Sequence, residues 1–244
     1  IISPELNIMI KACDKASKVL IRDFGELENL QVKTKGPRDF VTNSDKKVEK
    51  ILVEELTKSK KNYSFITEES GIIKKSDPEN LWIIDPIDGT TNFLHGIPHF
   101  AISLALQKNN QIISGVIYDP IKNEMFYAEK DNGSYFNNQR IRVSKKKDLD
   151  DCLFGTNNNG VKNTNLNSRV SGSAALDLAY VASGRLDGFF QNDLNLWDIA
   201  AGKIIIEEAG GKISANNTSE IQNINIKASS VNIYEKMLEN LNNF

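Results

Sequence analysis

The sequence predicts a mixed α/β chain, and three observations carry that prediction. Helical three- and four-residue spacing governs the beginning of the chain. Short apolar strands separated by Asn and Gly turns fill the stretch from Tyr63 to Tyr135. From Cys152 onward strands alternate with helices. Length and composition agree: 244 residues, 40% hydrophobic and 25% charged, are ordinary globular values with room for one large domain or two small ones. They exclude a disordered chain, a fibrous repeat and a disulfide-stapled mini-protein. Thirty Lys and Arg against thirty-two Asp and Glu leave a formal charge of -2, so no global basic field points to nucleic acid as a partner.

The elements follow in order. Ser3-Pro4-Glu5 reads as a helix start, with an N-cap, a first-turn proline and a first-turn acid. Leu6, Met9, Ile10, Cys13, Ala16, Leu20 and Phe24 then form an apolar stripe. A second helix follows Ser44, its face marked by Val48, Ile51, Leu52, Glu55 and Leu56. Strands are expected at 63–67, 81–85, 100–106, 111–118 and 123–129, with hairpin turns at Asn109-Asn110 and Asn132-Gly133. Beyond them come a helix near 173–183, a strand near 186–190, and helices near 197–209 and 231–241. The division falls near residue 140, giving an α+β part, 1–140, and an α/β part, 141–244. Asn157 to Asn167, rich in Asn, Gly, Lys and Thr, reads as an exposed loop.

Cys13 and Cys152 have no CxxC spacing and no nearby His, and are expected as reduced thiols. No apolar run approaches the roughly 18 residues of a membrane span. The segment Ile1 to Glu5 lacks the basic and apolar regions of a signal peptide. The expectation is a cytoplasmic protein without a membrane partner.

The segment Leu81 to Phe93, LWIIDPIDGTTNF, carries the chemistry. Its apolar run reads as a buried strand ending at an acid followed by Pro, and the carboxyl end of such a strand is where open α/β sheets place ligands. Asp85 and Asp88 could share one hard cation, brought together by a turn at Pro86, with the Ile87 carbonyl as a further oxygen. Gly89-Thr90 offers unhindered backbone N–H groups that suit a phosphate. The same stretch also suits a plain strand and turn whose Asp side chains cap backbone N–H groups. Further acids weigh towards a site: Glu68-Glu69 follows the strand at 63–67, and Asp198 follows Trp197 in the first turn of a helix, where it could also serve the helix dipole. Oxygen ligands without Cys or His favour Mg²⁺, or Mn²⁺, over zinc.

Asp85-Pro-Ile-Asp-Gly-Thr90, with Glu68-Glu69 upstream and Trp197-Asp198-Ile-Ala-Ala-Gly202 downstream, resembles the inositol monophosphatase family of Mg²⁺-dependent, lithium-sensitive phosphatases. The resemblance runs from about Leu6 to Ala228, and Asn92 to Phe100 and Gly172 to Ala179 look most like bacterial members. It implies a layered αβαβα sandwich of the sugar-phosphatase type, with most metal ligands in the first part and a cleft between the two. It implies that Glu68, Asp85 and the Ile87 carbonyl hold one Mg²⁺ and that Asp85, Asp88 and Asp198 hold a second, with a weaker third ion near Glu68. Gly89 and Thr90 would cradle the phosphate. Asp45 would pair with the Thr90 hydroxyl to orient the attacking water, so Glu68, Asp45 and Thr90 are the catalytic candidates. Arg169, Gly172, Ser173, Ala174 and Gln191 match positions around the substrate, beside Ile87, Asp88 and Asp198.

Two departures touch specificity. Gln191 stands where inositol-binding members have Glu, and the stretch from Thr156 to Arg169 is shorter than in most relatives. The function implied is metal-activated hydrolysis of a small phosphate monoester, inositol 1-phosphate to inositol and phosphate, by a homodimer acting on a phosphorylated polyol or sugar. A sibling phosphatase for fructose 1,6-bisphosphate or histidinol phosphate is the second reading. A regulatory relative acting through RNA or protein is the third. His95 and His99 are expected to be structural, Trp82 and Trp197 to pack in the core, and Lys145 to Lys147 to form a solvated face.

Overall fold

The computed structural model describes residues 2–27, 32–34, 40–157, 165–216 and 221–241. Helix α1 (Pro4–Gly25) begins where its sequence signals, with the Ser3 hydroxyl accepting from the Leu6 N–H at 3.1 Å. Its stripe meets that of α2 (Asn43–Ser59), so Leu6, Met9, Cys13 and Leu20 pack with Val48, Leu52 and Leu56. A small antiparallel ribbon, β1 (Val32–Thr34) and β2 (Phe40–Thr42), separates the two helices in the chain.

The large sheet is built from β3 (Tyr63–Thr67), β4 (Gly71–Ile73), β5 (Asp77–Asp88), β6 (Ala101–Lys108), β7 (Gln111–Asp119), β8 (Glu124–Glu129), β9 (Gly133–Phe136) and β10 (Gln139–Arg140), with the short helix α3 (Thr90–Leu94) between β5 and β6. Its spatial order is β10-β9-β8-β7-β6-β5-β3-β4, antiparallel except for the pair β3 and β5. Asn109 and Asn110 take φ of +48° and +61°, and Asn137 and Asn138 +43° and +68°. These left-handed pairs make the two-residue hairpins that match strand twist.

The second sheet contains β11 (Phe154–Thr156), β12 (Ser168–Arg169), β13 (Gly188–Leu194), β14 (Gly211–Ala215) and β15 (Ile224–Ser230), in the order β12-β11-β13-β15-β14. Between and after these strands run α4 (Ala174–Ala182), α5 (Leu196–Glu208) and α6 (Tyr234–Asn240). The expected alternation of strand and helix stops after α5, where β14 and β15 follow one another as an antiparallel pair. Lys212, Ser214 and Lys227 break up the apolar runs there, so neither strand stands out from the sequence.

Burial explains the layering. Along β6, Ile102, Leu104 and Leu106 face the α1–α2 side, while Ala101 and Ala105 face α4 and α5. Alternate residues on a strand point to opposite faces, so a sheet covered on both sides needs continuous apolar runs. Helices α4 and α5 fill the space between the sheets, and α6 closes the far side through Tyr234 and Met237 against Phe154 and Phe190. The order is α1/α2, large sheet, α4/α5, small sheet, α6, a layered α/β sandwich. Segment 158–164 of the expected exposed loop lies outside the described residues.

Candidate active site

The site begins with an irregularity in β5. The strand does not end at Asp85 but continues to Asp88. Asp85 opposes Ser103 and Asp88 opposes Ala101, three steps on β5 against two on β6. Residues an odd number apart on a regular strand face opposite ways. The extra residue of this bulge restores the parity and turns both acids to one side. Pro86, which has no N–H to offer a ladder, sits within the bulge.

Asp85, Asp88 and Asp198 bring carboxylate oxygens within 4.8 Å of one another. Asp198 arrives from α5, whose first turn is a capping box: its carboxylate accepts from the Asn195 N–H at 2.8 Å. Asp85 accepts from the Ile87 N–H at 3.0 Å. Asp88 accepts from the Ser173 hydroxyl and, at 3.0 Å, from the Ala175 N–H at the start of α4. Glu68 is placed by the turn after β3, its N–H donating to the Ile84 carbonyl at 3.2 Å.

Such crowding of buried acids raises their pKa values. Burial, then the charges of Glu68, Asp88, Asp198 and Asp45, holds Asp85 well above the usual carboxylate range. Burial pushes Asp88 up to about 6 despite the hydrogen bonds from Ser173, Ala175 and Ala174. Burial and the charge of Asp88 push Asp198 up to about 7. An all-oxygen donor set whose members resist ionising beside one another fits a hard divalent cation.

A cavity of about 220 Å³ lies over this cluster. Its walls include Glu68, Asp85, Ile87, Asp88, Gly89, Thr90, Gly172, Ser173, Ala174, Gln191 and Asp198. Gly89 has φ +96°, and a Cβ there would lie 3.1 Å from the His99 carbonyl, so only glycine suits this corner. The Thr90 hydroxyl donates to the Ile87 carbonyl at 2.9 Å. Asn92 ties the two halves of the wall, its amide donating to the carbonyls of His99 at 2.8 Å and Ser171 at 2.9 Å.

Two candidates lie outside the cavity wall. Asp45 is buried on α2, near enough for its charge to act on Asp85. Arg169 is exposed, its guanidinium donating to the Asn167 side chain at 3.2 Å and the Ser168 carbonyl at 3.0 Å. Neither His95 nor His99 lines the cavity. Trp82 and Trp197 are buried in the core.

The structure adds Thr156, Asn157, Val170, Asp177, Leu194 and Asn195 to the wall. Asp177 carried a signal, an acid in the otherwise apolar run of α4, and burial pushes it up to about 8. Asn195 carried another, the Asn-x-x-Asp spacing of a capping box.

A sequence profile of the inositol monophosphatase family matches residues 2–243. The chain belongs to the inositol monophosphatase family. The inositol-1-monophosphatase of Rhizobium meliloti is 48% identical over 221 residues, spanning 84% of this chain and 83% of that protein. The Nus factor SuhB of Pasteurella multocida is 41% identical and spans 86% and 85% of the two chains. The crystal structure of the extragenic suppressor protein suhB from Bartonella henselae superposes with a TM-score of 0.92 at 41% identity, covering 98% of each chain. The layered fold is that of the inositol monophosphatases, and the protein is a phosphatase of that family.

Proposed function

We propose that the protein hydrolyses inositol 1-phosphate to inositol and phosphate, with two or three Mg²⁺ ions, or Mn²⁺ in their place, held by the acidic cluster. The observation that carries this is the meeting of Asp85, Asp88 and Asp198 within 4.8 Å beneath a cavity walled by Gly89 and Thr90. Glu68, Asp85 and the Ile87 carbonyl would hold one cation, and Asp85, Asp88 and Asp198 another. When bound, the cations supply a water of lowered pKa, neutralise phosphoryl charge and stabilise the leaving alkoxide.

The chain's own residues do the positioning. The backbone N–H groups of Gly89 and Thr90 orient the phosphoryl oxygens. Glu68, with Asp45 and the Thr90 hydroxyl, would orient the attacking water. Gly172, Ser173 and Ala174 form the side of the cavity against the alcohol, and Gln191 is a neutral hydrogen-bonding group for its hydroxyls. Arg169 is the outermost of the substrate contacts we assign. Relatives named inositol-1-monophosphatase at 42–48% identity support the choice of alcohol. We further assign inhibition by Li⁺, a cytoplasmic setting and a homodimer. Among the described residues no helix is long and apolar enough to cross a membrane.

Phosphate release from a panel of polyol and sugar phosphates, including fructose 1,6-bisphosphate and histidinol phosphate, with Mg²⁺ and with EDTA, tests the reading. Inositol 1-phosphate should lead, and only with the cation. Relatives named Nus factor SuhB favour a second reading, a regulatory role through a partner. Failure to release phosphate from any member of the panel would leave that second reading standing.

A further inference from the structure

Glu49 lies outside the cavity, yet it is only 4% exposed and its carboxylate spends both oxygens on the turn that carries Glu68. It sits on α2 one helical turn beyond Asp45. One oxygen accepts from the Glu69 N–H at 2.9 Å, and the other accepts from the Ser70 hydroxyl. The Thr67 hydroxyl completes the arrangement, accepting from the Ser70 N–H at 3.2 Å and donating to the Gly71 carbonyl at 3.3 Å. Glu68 is therefore held on two sides, by the Ile84 carbonyl through its own N–H and by Glu49 through the next.

We infer that Glu49 is a positioning residue that fixes Glu68 against the acidic cluster and so sets the affinity of that cluster for a divalent cation. The inference rests on the cation-binding reading proposed above. A carboxylate accepting two hydrogen bonds holds its donors more firmly than a neutral acceptor does. A ligand on an unpinned turn must be ordered when the cation binds, and that cost appears as lost affinity.

Calorimetric titration with Mg²⁺ alone tests this on the wild type, Glu49→Ala, Glu49→Gln and Ser70→Ala, alongside melting in EDTA and in Mg²⁺. Glu49→Ala should weaken Mg²⁺ binding by about tenfold to a hundredfold, the scale for groups that orient metal ligands. Glu49→Gln keeps one acceptor oxygen and should fall between. Ser70→Ala removes one donor from an exposed residue that poses no threat to folding, and should weaken binding a few-fold. KM for the phosphate ester at saturating Mg²⁺ should stay within twofold. Unchanged Mg²⁺ affinity in Ser70→Ala and either Glu49 variant, with melting lowered equally in EDTA and Mg²⁺, would reduce Glu49 to a structural staple. A wild type that binds no Mg²⁺ would instead overturn the cation-binding reading and this one with it.

Discussion

Asp85 occupies the point where backbone geometry and electrostatics conflict. The bulge that turns it towards Asp88 also buries it, leaving it 2% exposed among four other acids. Replacing its carboxylate with an amide of the same shape should therefore separate catalysis from folding. Asp85→Asn should lower kcat by several decades at saturating Mg²⁺, while its melting temperature in EDTA equals or exceeds wild type because the amide carries no charge to be held among the other acids. Turnover within tenfold of wild type would refute the assignment. Gln191 poses the complementary question, since it faces the cavity without joining the acidic cluster. A charged acceptor binds a hydroxyl more strongly than an amide by about 1 kcal/mol. Gln191→Glu should therefore raise kcat/KM for inositol 1-phosphate a few-fold and leave a small aryl phosphate unchanged. An equal effect on both substrates would place Gln191 outside the alcohol pocket.

Among the elements, α4 and α5 bear the heaviest constraint, because they deliver Ser173 and Asp198 to one side of the cavity while filling the space between two sheets. Their contact leaves no room at Gly202, where a Cβ would lie 2.5 Å from Leu178 Cδ1. Gly202→Ala should cost about 1–3 kcal/mol through overpacking. The loss should appear as a Tm lowered by several degrees at roughly 2–4 °C per kcal/mol. An unchanged Tm would mean that the two helices can part without cost. The same elements show where sequence reading works. Helix α1 was legible because cap, proline and stripe agree, and β6 because its faces are both apolar. The continuation of β5 past Pro86 was not legible, since proline ordinarily ends a strand and the bulge depends on pairing with β6. Strands β14 and β15 were hidden because they sit in the small sheet with polar residues along their runs. Of the cavity wall, Glu68, Asp85, Asp88, Asp198 and the Gly89-Thr90 pair announced themselves by type and spacing, whereas Asp177 did not, because a single acid in an apolar helical run has no partner in sequence to mark it. Val170 and Leu194 did not, because an apolar residue carries no chemical mark until the fold places it.

At the scale of the molecule, the acidic cluster makes stability depend on pH and on cation together. Asp88 at about 6 and Asp198 at about 7 keep protons that the unfolded chain releases near 3.9. The native state therefore binds more protons between these values, and stability without metal falls as pH rises from about 4 to about 7. Asp177, at about 8, extends the fall by one more unit. Glu5 acts in the opposite sense in a lower window: Lys60 holds it below its ordinary value, so its contribution is present above about 4 and lost beneath. A cation competes with the protons on Asp85, Asp88 and Asp198, so its stabilisation should grow over the range in which they would otherwise remain protonated. At a free Mg²⁺ concentration one hundred times its dissociation constant the gain is about 2.7 kcal/mol, or roughly 5–10 °C in a chain of this size. Scanning calorimetry in EDTA and in Mg²⁺ should show a small difference at pH 5 and close to the full difference at pH 8. The EDTA curve itself should drop between the two. A gain of the same size at both pH values would mean that the cation binds away from these three acids, and the cavity would lose its claim to be the site of phosphate release.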